Sequence, residues 1–351
     1  MVLRLTQVAL LTFLCASLIL FGIIVQSEHG WGSVTHFRLS HLFKVKAPFT
    51  PSPRATTVST EKAGLAHYVW KQCGNPDAEM TSSAALKSSP FSHVLVNDKN
   101  KMLYCIVPKV ACSNWRRVLL ALSGKVNATN PTDINIHAVH HKYKSLLPLL
   151  RSFTRPESEH RLSNYYKFMF VRNPLERLLS AWRNKFQTNM STSVSFRRYF
   201  VQVIVRQYRN DSQQLDKKSL DSVQIRFDEF LRFVVDQAEK GAVLNDHWER
   251  FHKLCHPCTV RYDFVGRYEH LEEDAMRVLK SVHADRMVRF PQRSAVYKHS
   301  RTTEVMREFY KDIPASLLKR VYRCYQEDFQ LFNYSVPDFL KLENNKTMIS
   351  T

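Results

Sequence analysis

A lysine and two residues suited to helix capping follow a short apolar segment with the pattern of a β-strand. The strand pattern covers residues 102–107, and the segment Pro108–Asn114 follows it with the sequence Pro-Lys-Val-Ala-Cys-Ser-Asn. A helix that begins after such a turn has free backbone N–H groups and a partial positive charge, which together bind phosphate and sulfate. We expect the Lys109 ammonium to reach an anion bound there. We also expect Ser113 and Asn114 to cap the helix and to donate to anionic oxygens.

A second segment has the same shape. The apolar residues Phe168–Val171 are followed by Arg172, and Pro174 then stands where a first helical residue is expected. Ser180 comes eight residues after Arg172, and at the helical rise it is expected to lie roughly 10 Å along the axis from the helix start. A phosphate beside the first two helical turns would contact both side chains. Two anion-binding segments on one chain predict a ligand with two anionic ends.

Both segments also have a purely structural interpretation. The first lacks both glycines of the G-x-x-x-x-G-K-S/T phosphate loop, so an ordinary capped helix explains it equally well. In the second, Glu176, Arg177 and Arg183 are also explained as surface charges. A stripe of apolar residues at helical spacing is more typical of a core than of a ligand site, and this segment has one: Leu175, Leu178, Leu179 and Trp182.

The elements that must position these residues are strands that alternate with helices. Residues 125–160 are rich in loops and contain four histidines: His137, His140, His141 and His160. Alternating strands and helices predict an α/β domain with a mostly parallel central sheet. The pattern predicts strands at 93–96, 102–107, 168–171 and 262–266, and helices at 61–73, 115–122, 174–186, 194–210, 223–240, 271–282 and 315–332.

The N-terminal region has the pattern of a membrane anchor. The run from Val8 to Val25 is nearly continuously apolar and about long enough to span a bilayer. Arg4 before it and Glu28 after it favour a cytosolic N-terminus. A cleaved signal peptide is the alternative, although the residues after the run form a poor cleavage site. The predicted organisation is a cytoplasmic tail at 1–7, a transmembrane helix at 8–25, a lumenal stem at 26–85 and a catalytic domain at 86–345.

Several glycosylation acceptors agree with a lumenal location. Five Asn-x-Ser/Thr sequons occur in the chain, at Asn127, Asn189, Asn210, Asn333 and Asn345.

The cysteines outside the apolar run leave their pairing open. They are Cys73, Cys105, Cys112, Cys255, Cys258 and Cys324. Cys255 and Cys258 form a Cys-x-x-Cys pair that has three interpretations: a zinc site with His252 or His256, a redox pair, or a structural element. We favour the structural role because a second Cys-x-x-Cys is absent from the sequence and the lumen is oxidising.

The chain is strongly basic. Lys and Arg number 51 against 31 Asp and Glu, a formal net charge of +20. The basic residues are spread through sequence with folded character rather than gathered in a tail, so they are expected to steer a polyanion to a surface or cleft. In the secretory lumen the available polyanions are acidic polysaccharides and sulfated or sialylated glycans, so we expect no nucleic acid partner. A solvated basic face without a partner is the alternative.

Taken together, the two segments resemble the 5′-phosphosulfate loop and the 3′-phosphate motif of Golgi sulfotransferases that use 3′-phosphoadenylyl sulfate (PAPS). The chain is similar over about 100–340 to the carbohydrate sulfotransferase family that includes the HNK-1, GalNAc-4 and chondroitin/dermatan 4-O enzymes. Other segments support this resemblance: Leu254–Cys258, Tyr262–Glu269, Leu271–Asp274, Arg289–Pro291 and Phe332–Pro337. Ser300–Thr303 and Phe339–Glu343 look most like chondroitin 4-O-sulfotransferases. The family more often has Thr at Ser113 and an acid at Asn173.

The resemblance implies a P-loop-like sulfotransferase fold, PAPS as the donor and no metal. It implies that Lys109 stabilises the leaving phosphate and that His140 is the base for the acceptor hydroxyl, with His137 and His141 as competing candidates. It places donor contacts on two groups of residues: Pro108, Lys109, Val110, Ala111, Cys112, Ser113 and Asn114, and Arg172, Asn173, Pro174, Leu175, Glu176, Arg177, Leu178, Leu179 and Ser180.

The expected function is transfer of a sulfuryl group to the 4-hydroxyl of GalNAc in chondroitin, by an enzyme held in the Golgi membrane as a single-pass type II protein. Dermatan, terminal GalNAc and HNK-1-type glycans are alternative acceptors. An anchored lectin-like protein that binds polyanions without chemistry is the non-enzymatic alternative. The missing glycines of the phosphate loop count against an ATP-using enzyme. The sequence does not indicate an oligomeric state.

Overall fold

A four-stranded sheet forms the centre of the computed structural model, which describes residues 64–74, 91–187, 194–209, 217–292 and 301–337. Its strands lie in the order β1 (Val94–Asn97), β2 (Met102–Cys105), β3 (Tyr166–Val171) and β4 (Phe264–Arg267). β1 and β2 form an antiparallel hairpin, whereas β2, β3 and β4 are parallel to one another. The predicted α/β class and mostly parallel sheet are therefore confirmed.

The register brings the two candidate segments to the same edge of the sheet. Cys105 at the end of β2 lies opposite Met169 of β3, and Val171 at the end of β3 lies opposite Arg267 of β4. Because the carboxyl ends of parallel strands meet at one edge, the loop after β2 and Arg172 after β3 lie next to each other.

The remaining described chain is mostly helical. The helices are α1 (Leu65–Gln72), α2 (Cys112–Ser123), α3 (Ile136–His140), α4 (Arg155–Asn164), α5 (Pro174–Trp182), α6 (Val194–Tyr208), α7 (Lys217–Ser222), α8 (Phe227–Glu239), α9 (Phe251–Cys255), α10 (Pro257–Val260), α11 (Leu271–Ser281), α12 (Thr302–Tyr310) and α13 (Ala315–Leu331). Short 3-10 turns occur at Pro131–Asp133, Lys144–Leu146, Leu150–Ser152 and Tyr268–His270, and a π-helical turn at Arg183–Gln187 follows α5.

Six of the described helices were not predicted from the sequence: α3, α4, α7, α9, α10 and α12, of which α4 and α12 are the longest. α4 lies inside the stretch that was expected to be loop, because it buries only Ser158 and so has no apolar stripe. Its start is nevertheless defined by a capping box between Thr154 and Glu157. α12 has apolar residues at helical spacing, Val305, Met306, Phe309 and Tyr310, which pack on the core, so its pattern was present in the sequence but was not used.

The predicted membrane anchor lies outside the described residues. This holds for the whole of the predicted tail and transmembrane helix, residues 1–25, and for most of the predicted stem. Within the part of the chain that the structure describes, no helix is long and apolar enough to cross a bilayer.

Aromatic side chains fill the core beside the sheet. Trp115 of α2 is fully buried, and its ring centroid lies 4.7 Å from that of Phe168 and 5.0 Å from that of Phe290. Gly266 of β4 leaves room for this packing, since a Cβ there would lie 2.5 Å from the Phe170 ring. The rigid aromatic layer sits directly beneath the start of α2 and so fixes where the candidate loop emerges.

Two disulfides fasten distant parts of the domain. Cys105 at the end of β2 is bonded to Cys255 in α9, and Cys73 after α1 is bonded to Cys258 in α10. Each cysteine of the Cys-x-x-Cys pair therefore has its own distant partner, which confirms the structural role that we favoured. Cys112 and Cys324 are free thiols.

Candidate active site

The loop after β2 is shaped as an anion-binding turn. Lys109 and Ala111 have left-handed backbone φ angles of 71° and 58°. Such a conformation is costly for residues other than glycine, and alternation of this kind turns successive N–H groups toward one point. Ala111 is the N-cap of α2, and no side chain caps the helix. Within the described chain, the first N–H groups of α2 are thus left available to an anion.

The predicted capping by Ser113 and Asn114 is wrong. Both residues lie inside the first turn of α2 rather than before it, because the helix begins at Cys112. Asn114 Nδ2 donates to the carbonyl of Pro291 at 3.4 Å. Ser113 Oγ lies 2.7 Å from Nε2 of His140. Because no side chain caps α2, more of its first backbone N–H groups are available to a ligand than the sequence predicted.

Lys109 is held among other cations. Burial, together with the positive charges of Arg172, Lys185 and Arg177, lowers the pKa of Lys109 to about 7, and the Cys112 thiol acts in the opposite direction. The described residues pair neither Lys109 nor Lys185 with a carboxylate. Neighbouring ammonium groups repel each other unless an anion lies between them, so the arrangement fits an anionic ligand.

Arg172 joins the two segments. Its side chain is buried, and its Nη1 donates to the carbonyl of Lys109 at 3.3 Å. The guanidinium pairs with Glu176 at 3.3 Å and lies 4.1 Å from the centre of the Tyr268 ring. Glu176 also accepts a hydrogen bond from Thr303 Oγ1 at 3.0 Å. These contacts place the guanidinium directly beside the loop after β2.

The first backbone N–H groups of α5 are capped by a side chain, unlike those of α2. Asn173 Oδ1 accepts from the backbone N–H of Leu175 at 3.0 Å and of Glu176 at 3.4 Å, and Pro174 has no N–H to offer. Our expectation that the N–H groups of this helix bind an anion is therefore wrong. The side chains predicted to bind an anion at the second segment are the buried Arg172 and the half-buried Ser180.

Arg177 is a structural clamp, so its interpretation as a surface charge is wrong. It is 2% exposed. Its Nε donates to the carbonyl of Pro108 at 3.1 Å, its Nη2 to that of Asp246 at 2.7 Å, and its Nη1 to that of Glu249. One guanidinium thus holds the loop after β2 against the segment before α9.

The apolar residues of α5 belong to the core, as the structural interpretation predicted. Leu175, Leu178 and Leu179 are each at most 1% exposed and pack in the second, mainly helical core cluster together with Trp182. Their side chains are buried in the core, and the donor contacts that the resemblance implies for these positions stay a prediction. Glu176 is likewise buried and engaged by Arg172.

His140 is brought to the loop by α3. Asn135 caps this short helix by accepting from the N–H groups of His137 and Ala138, and His140 then reaches Ser113 of α2. Desolvation and the nearby positive charge of Arg116 lower the pKa of His140 to about 4, so the ring is neutral at physiological pH. All three candidate histidines are exposed as whole residues, and His140 is distinguished from His137 and His141 by its contact with Ser113 of α2.

Two further residues lie at the site although the sequence analysis did not select them. Lys185 is in the π-helical turn Arg183–Gln187, with Nζ 4.8 Å from the Phe196 ring centre. Such turns often occur at functional sites, yet no periodic pattern reports them. His247 lies beside Asp246 in the segment that Arg177 clamps. Its only sequence signal is a histidine in a short polar stretch between two helical patterns.

Buried polar groups without partners mark the floor of the site. Among the described residues, Arg116 Nε and Tyr104 Oη are buried with no hydrogen-bond partner. Both lie close enough to the Cys112 thiol to interact with it electrostatically. Unsatisfied buried donors are unusual and indicate a ligand or ordered solvent. The donor groups, the open helix start and the unpaired ammonium groups together fit a phosphosulfate.

The glycosylation acceptors are only partly described. Asn127 and Asn333 are exposed, as an acceptor must be. Asn189, Asn210 and Asn345 lie outside the described residues.

The chain is similar in sequence to known sulfotransferases. The model of the "Sulfotransferase family" matches residues 92–335. Carbohydrate sulfotransferase 11 of Rattus norvegicus is 38% identical over 273 residues, which cover 77% of this chain and 75% of that protein. Carbohydrate sulfotransferase 14 of Danio rerio is 40% identical, with 76% and 69% covered. Carbohydrate sulfotransferase 9 of Homo sapiens is 36% identical, with 70% and 54% covered. No solved structure matches the chain significantly.

Proposed function

Because the chain belongs to the sulfotransferase family, with carbohydrate sulfotransferases as its relatives, we propose that it transfers a sulfuryl group from PAPS to the 4-hydroxyl of GalNAc in chondroitin. The observation that carries the donor assignment is the contact between Arg172 Nη1 and the carbonyl of Lys109. This contact links the uncapped start of α2, which can bind one anion, to the buried guanidinium of Arg172, which can bind a second anion. PAPS has this separation of charges, with a phosphosulfate at its 5′ end and a phosphate at its 3′ end.

Lys109 and the open N–H groups of α2 hold the 5′ end of the donor. PAPS supplies an activated sulfuryl group, whose transfer leaves negative charge on a phosphate oxygen. The Lys109 ammonium and the uncapped helix start are positioned for that charge, and preorganised donors of this kind stabilise a transition state without reorganisation. The scheme requires no metal.

Arg172 and Ser180 hold the 3′-phosphate and so distinguish this donor from ATP. Arg172 is preorganised by Glu176 and by stacking on Tyr268, which reduces the entropy lost on binding. Ser180, half-buried in the second turn of α5, is the predicted second contact.

A neutral histidine at the loop is needed to take the proton of the acceptor hydroxyl. The resemblance assigns this role to His140, and its low pKa keeps it neutral. Its Nε2 is, however, engaged by Ser113 at 2.7 Å, so it must first be released if it is to act as a base.

An acidic glycosaminoglycan is the acceptor class that suits the formal charge of +20. Chondroitin is the proposed acceptor, with dermatan, terminal GalNAc and HNK-1-type glycans as alternatives. The test is transfer of radiolabelled sulfate from PAPS to a panel of desulfated polysaccharides, followed by disaccharide analysis. We expect label at the 4-position of GalNAc in chondroitin, and none with the Lys109→Met variant. Binding of polysaccharide without transfer of label would favour the lectin-like alternative.

We also propose that the protein is a type II Golgi membrane protein with its catalytic domain, residues 86–345, in the lumen. The support is the apolar run Val8–Val25, the disulfides and the exposed sequons at Asn127 and Asn333. Expression of the full chain in cells, followed by glycosidase digestion, tests this topology. A mobility shift that becomes smaller in Asn127→Gln/Asn333→Gln is the expected result, and an undigestible chain accessible to cytosolic protease would contradict it.

A further inference from the structure

The segment before α9 lies against the donor loop. Arg177 donates from Nε to the carbonyl of Pro108 at 3.1 Å and from Nη2 to the carbonyl of Asp246 at 2.7 Å. A single guanidinium therefore spans the two backbones. Lys109 follows the first carbonyl directly, and His247 follows the second. The clamp brings the two backbones together, and the Lys109 ammonium lies close enough to the His247 ring to interact with it electrostatically.

The His247 ring is held in one tautomer. Asn245 Oδ1 accepts from the backbone N–H of His247 at 3.1 Å and lies 2.8 Å from Nδ1 of the same residue. Because the amide oxygen can only accept, the ring must donate from Nδ1. In the neutral imidazole the lone pair is then on Nε2. Among the described residues, Nε2 of His247 has no hydrogen-bond partner, in contrast to Nε2 of His140.

The surroundings of His247 keep it neutral and rigid. The Phe196 ring packs edge to face at 5.5 Å between ring centres, and Lys185 lies over that same Phe196 ring at 4.8 Å. Burial and the positive charges of Lys185, Lys109 and Arg177 oppose protonation of the ring, while the carboxylate of Asp246 weakly favours it. The result is an oriented imidazole with a free lone pair at the cationic end of the site.

We propose that Nε2 of His247 accepts the proton of the sugar hydroxyl during sulfuryl transfer. This assignment rests on the proposed function and gives His140 a different role, as the partner of Ser113 that positions the donor loop. The hydroxyl oxygen forms a bond to sulfur as the bond between sulfur and the 5′-phosphate oxygen breaks. The electron pair of the broken bond stays on that phosphate oxygen, and the hydroxyl proton passes to Nε2. The imidazolium then returns the proton to solvent, so no oxidant or further reactant is needed.

The test compares His247→Asn with His140→Asn in the lumenal chain. Asparagine retains a donor near the position of Nδ1, so His247→Asn preserves the link to Asn245 while it removes Nε2. We expect kcat of His247→Asn to fall by about 100-fold or more, the usual loss for a general base, with the affinity for 3′,5′-ADP within about twofold of wild type. We expect His140→Asn to weaken 3′,5′-ADP binding and to retain more of kcat than His247→Asn.

Two further measurements separate a base from a structural residue. Imidazole in the buffer is expected to restore part of kcat to His247→Gly and none to His140→Gly. In the wild-type chain, which avoids any folding defect, loss of activity on treatment with diethyl pyrocarbonate is expected to follow modification of His247, mapped by mass spectrometry. A near-normal kcat for His247→Asn, or inactivation that follows His140 alone, overturns the proposal. Failure of wild type to bind 3′,5′-ADP would instead overturn the proposed function.

Discussion

Arg172 Nη1 donates to the carbonyl oxygen of Lys109 at 3.3 Å, so two residues far apart in the chain lie at one site. Both follow parallel strands that end at the same edge of the sheet. The helix that follows β2 has no side-chain cap, whereas α5 is capped by the side chain of Asn173. The two anion sites are therefore chemically different: the first uses backbone N–H groups and an ammonium, and the second uses a buried guanidinium.

Replacing Arg172 is expected to remove the preference for a 3′-phosphate. Arg172→Ala loses a charge-assisted contact that is worth about 1.5–3 kcal/mol, or roughly 10- to 100-fold in affinity for 3′,5′-ADP. Binding of 5′-AMP, which lacks that phosphate, is expected to change little. Isothermal titration calorimetry of both ligands measures the difference.

The matched control for this prediction is Arg155→Ala, since Arg155 is an exposed arginine of α4 that pairs with Glu159 on the surface. It is expected to leave both affinities unchanged. Equal losses of 3′,5′-ADP and 5′-AMP binding in Arg172→Ala would show that the residue supports the fold of the loop rather than the 3′-phosphate.

Donor affinity is expected to fall as the pH rises above about 7. In the ligand-free protein the pKa of Lys109 is lowered to about 7, and an anion favours its protonated form. Binding above that pH must therefore take up a proton, whereas binding below it does not. Affinities for 3′,5′-ADP measured from pH 6 to 9 give the slope.

Lys109→Arg is the control for this pH dependence, because a guanidinium stays protonated over the whole range. The variant retains a positive charge, and its affinity is expected to vary much less between pH 7 and 9. Because titration of the ligand's own phosphate affects both proteins alike, a slope that is unchanged in Lys109→Arg would assign the proton uptake to another group.

Lys109 is also expected to reduce the stability of the free protein. Its folded-state pKa lies below that of the unfolded chain, so the folded state binds fewer protons between pH 7 and about 10, and stability due to this group rises across that window. Lys109→Met is expected to raise Tm at pH 6.5 by about 2 °C or more, which corresponds to ~1 kcal/mol in a domain of this size. A lower Tm would mean that the ammonium has a stabilising partner.

Ser113 and His140 are expected to be energetically coupled. Their side chains lie 2.7 Å apart, and a hydrogen bond of this kind contributes about 0.5–1.5 kcal/mol. A double-mutant cycle with Ser113→Ala and His140→Asn, read from 3′,5′-ADP binding at pH 7.5, is expected to be non-additive by that amount. Strict additivity would show that the contact does not exist in solution.

The two disulfides are expected to supply much of the stability of the domain. They close loops with sequence separations of 150 and 185 residues, and the loop-entropy relation gives about 5 kcal/mol for a crosslink of this length. Cys105→Ser/Cys255→Ser is therefore expected to lower the midpoint of denaturant unfolding strongly. Cys324→Ser, which removes a free thiol, is the control, and an equal effect of both variants would contradict the prediction.

Local patterns predicted the sheet and the positions of the two segments well. A buried parallel strand is marked by a run of apolar residues, and the residues directly after it mark the start of a helix. Both signals are local, so the strands before Pro108 and Arg172 could be predicted from the sequence. The polar helix α4 was missed because it has almost no buried face. Its capping box between Thr154 and Glu157 was the signal that would have found it.

Polar contacts between residues far apart in the chain could not be predicted from local sequence patterns. Arg177 looked like a surface charge because its carbonyl partners, Pro108 and Asp246, are distant in the chain. The position of His247 was not predicted for the same reason, since its segment is joined to the loop after β2 through the distant Arg177. Lys185 depends on a π-helical turn, which shifts side chains by one position relative to the α-helical period that the pattern assumes.

The most direct test is the ligand preference of the full wild-type chain, measured as thermal shift with 3′,5′-ADP, 5′-AMP and ATP at equal concentrations. A site that joins an open helix start at Lys109 to the buried Arg172 guanidinium is expected to be stabilised much more by 3′,5′-ADP than by either of the others. Equal shifts with all three ligands, or no shift at all, would contradict the assignment of a PAPS-dependent sulfotransferase.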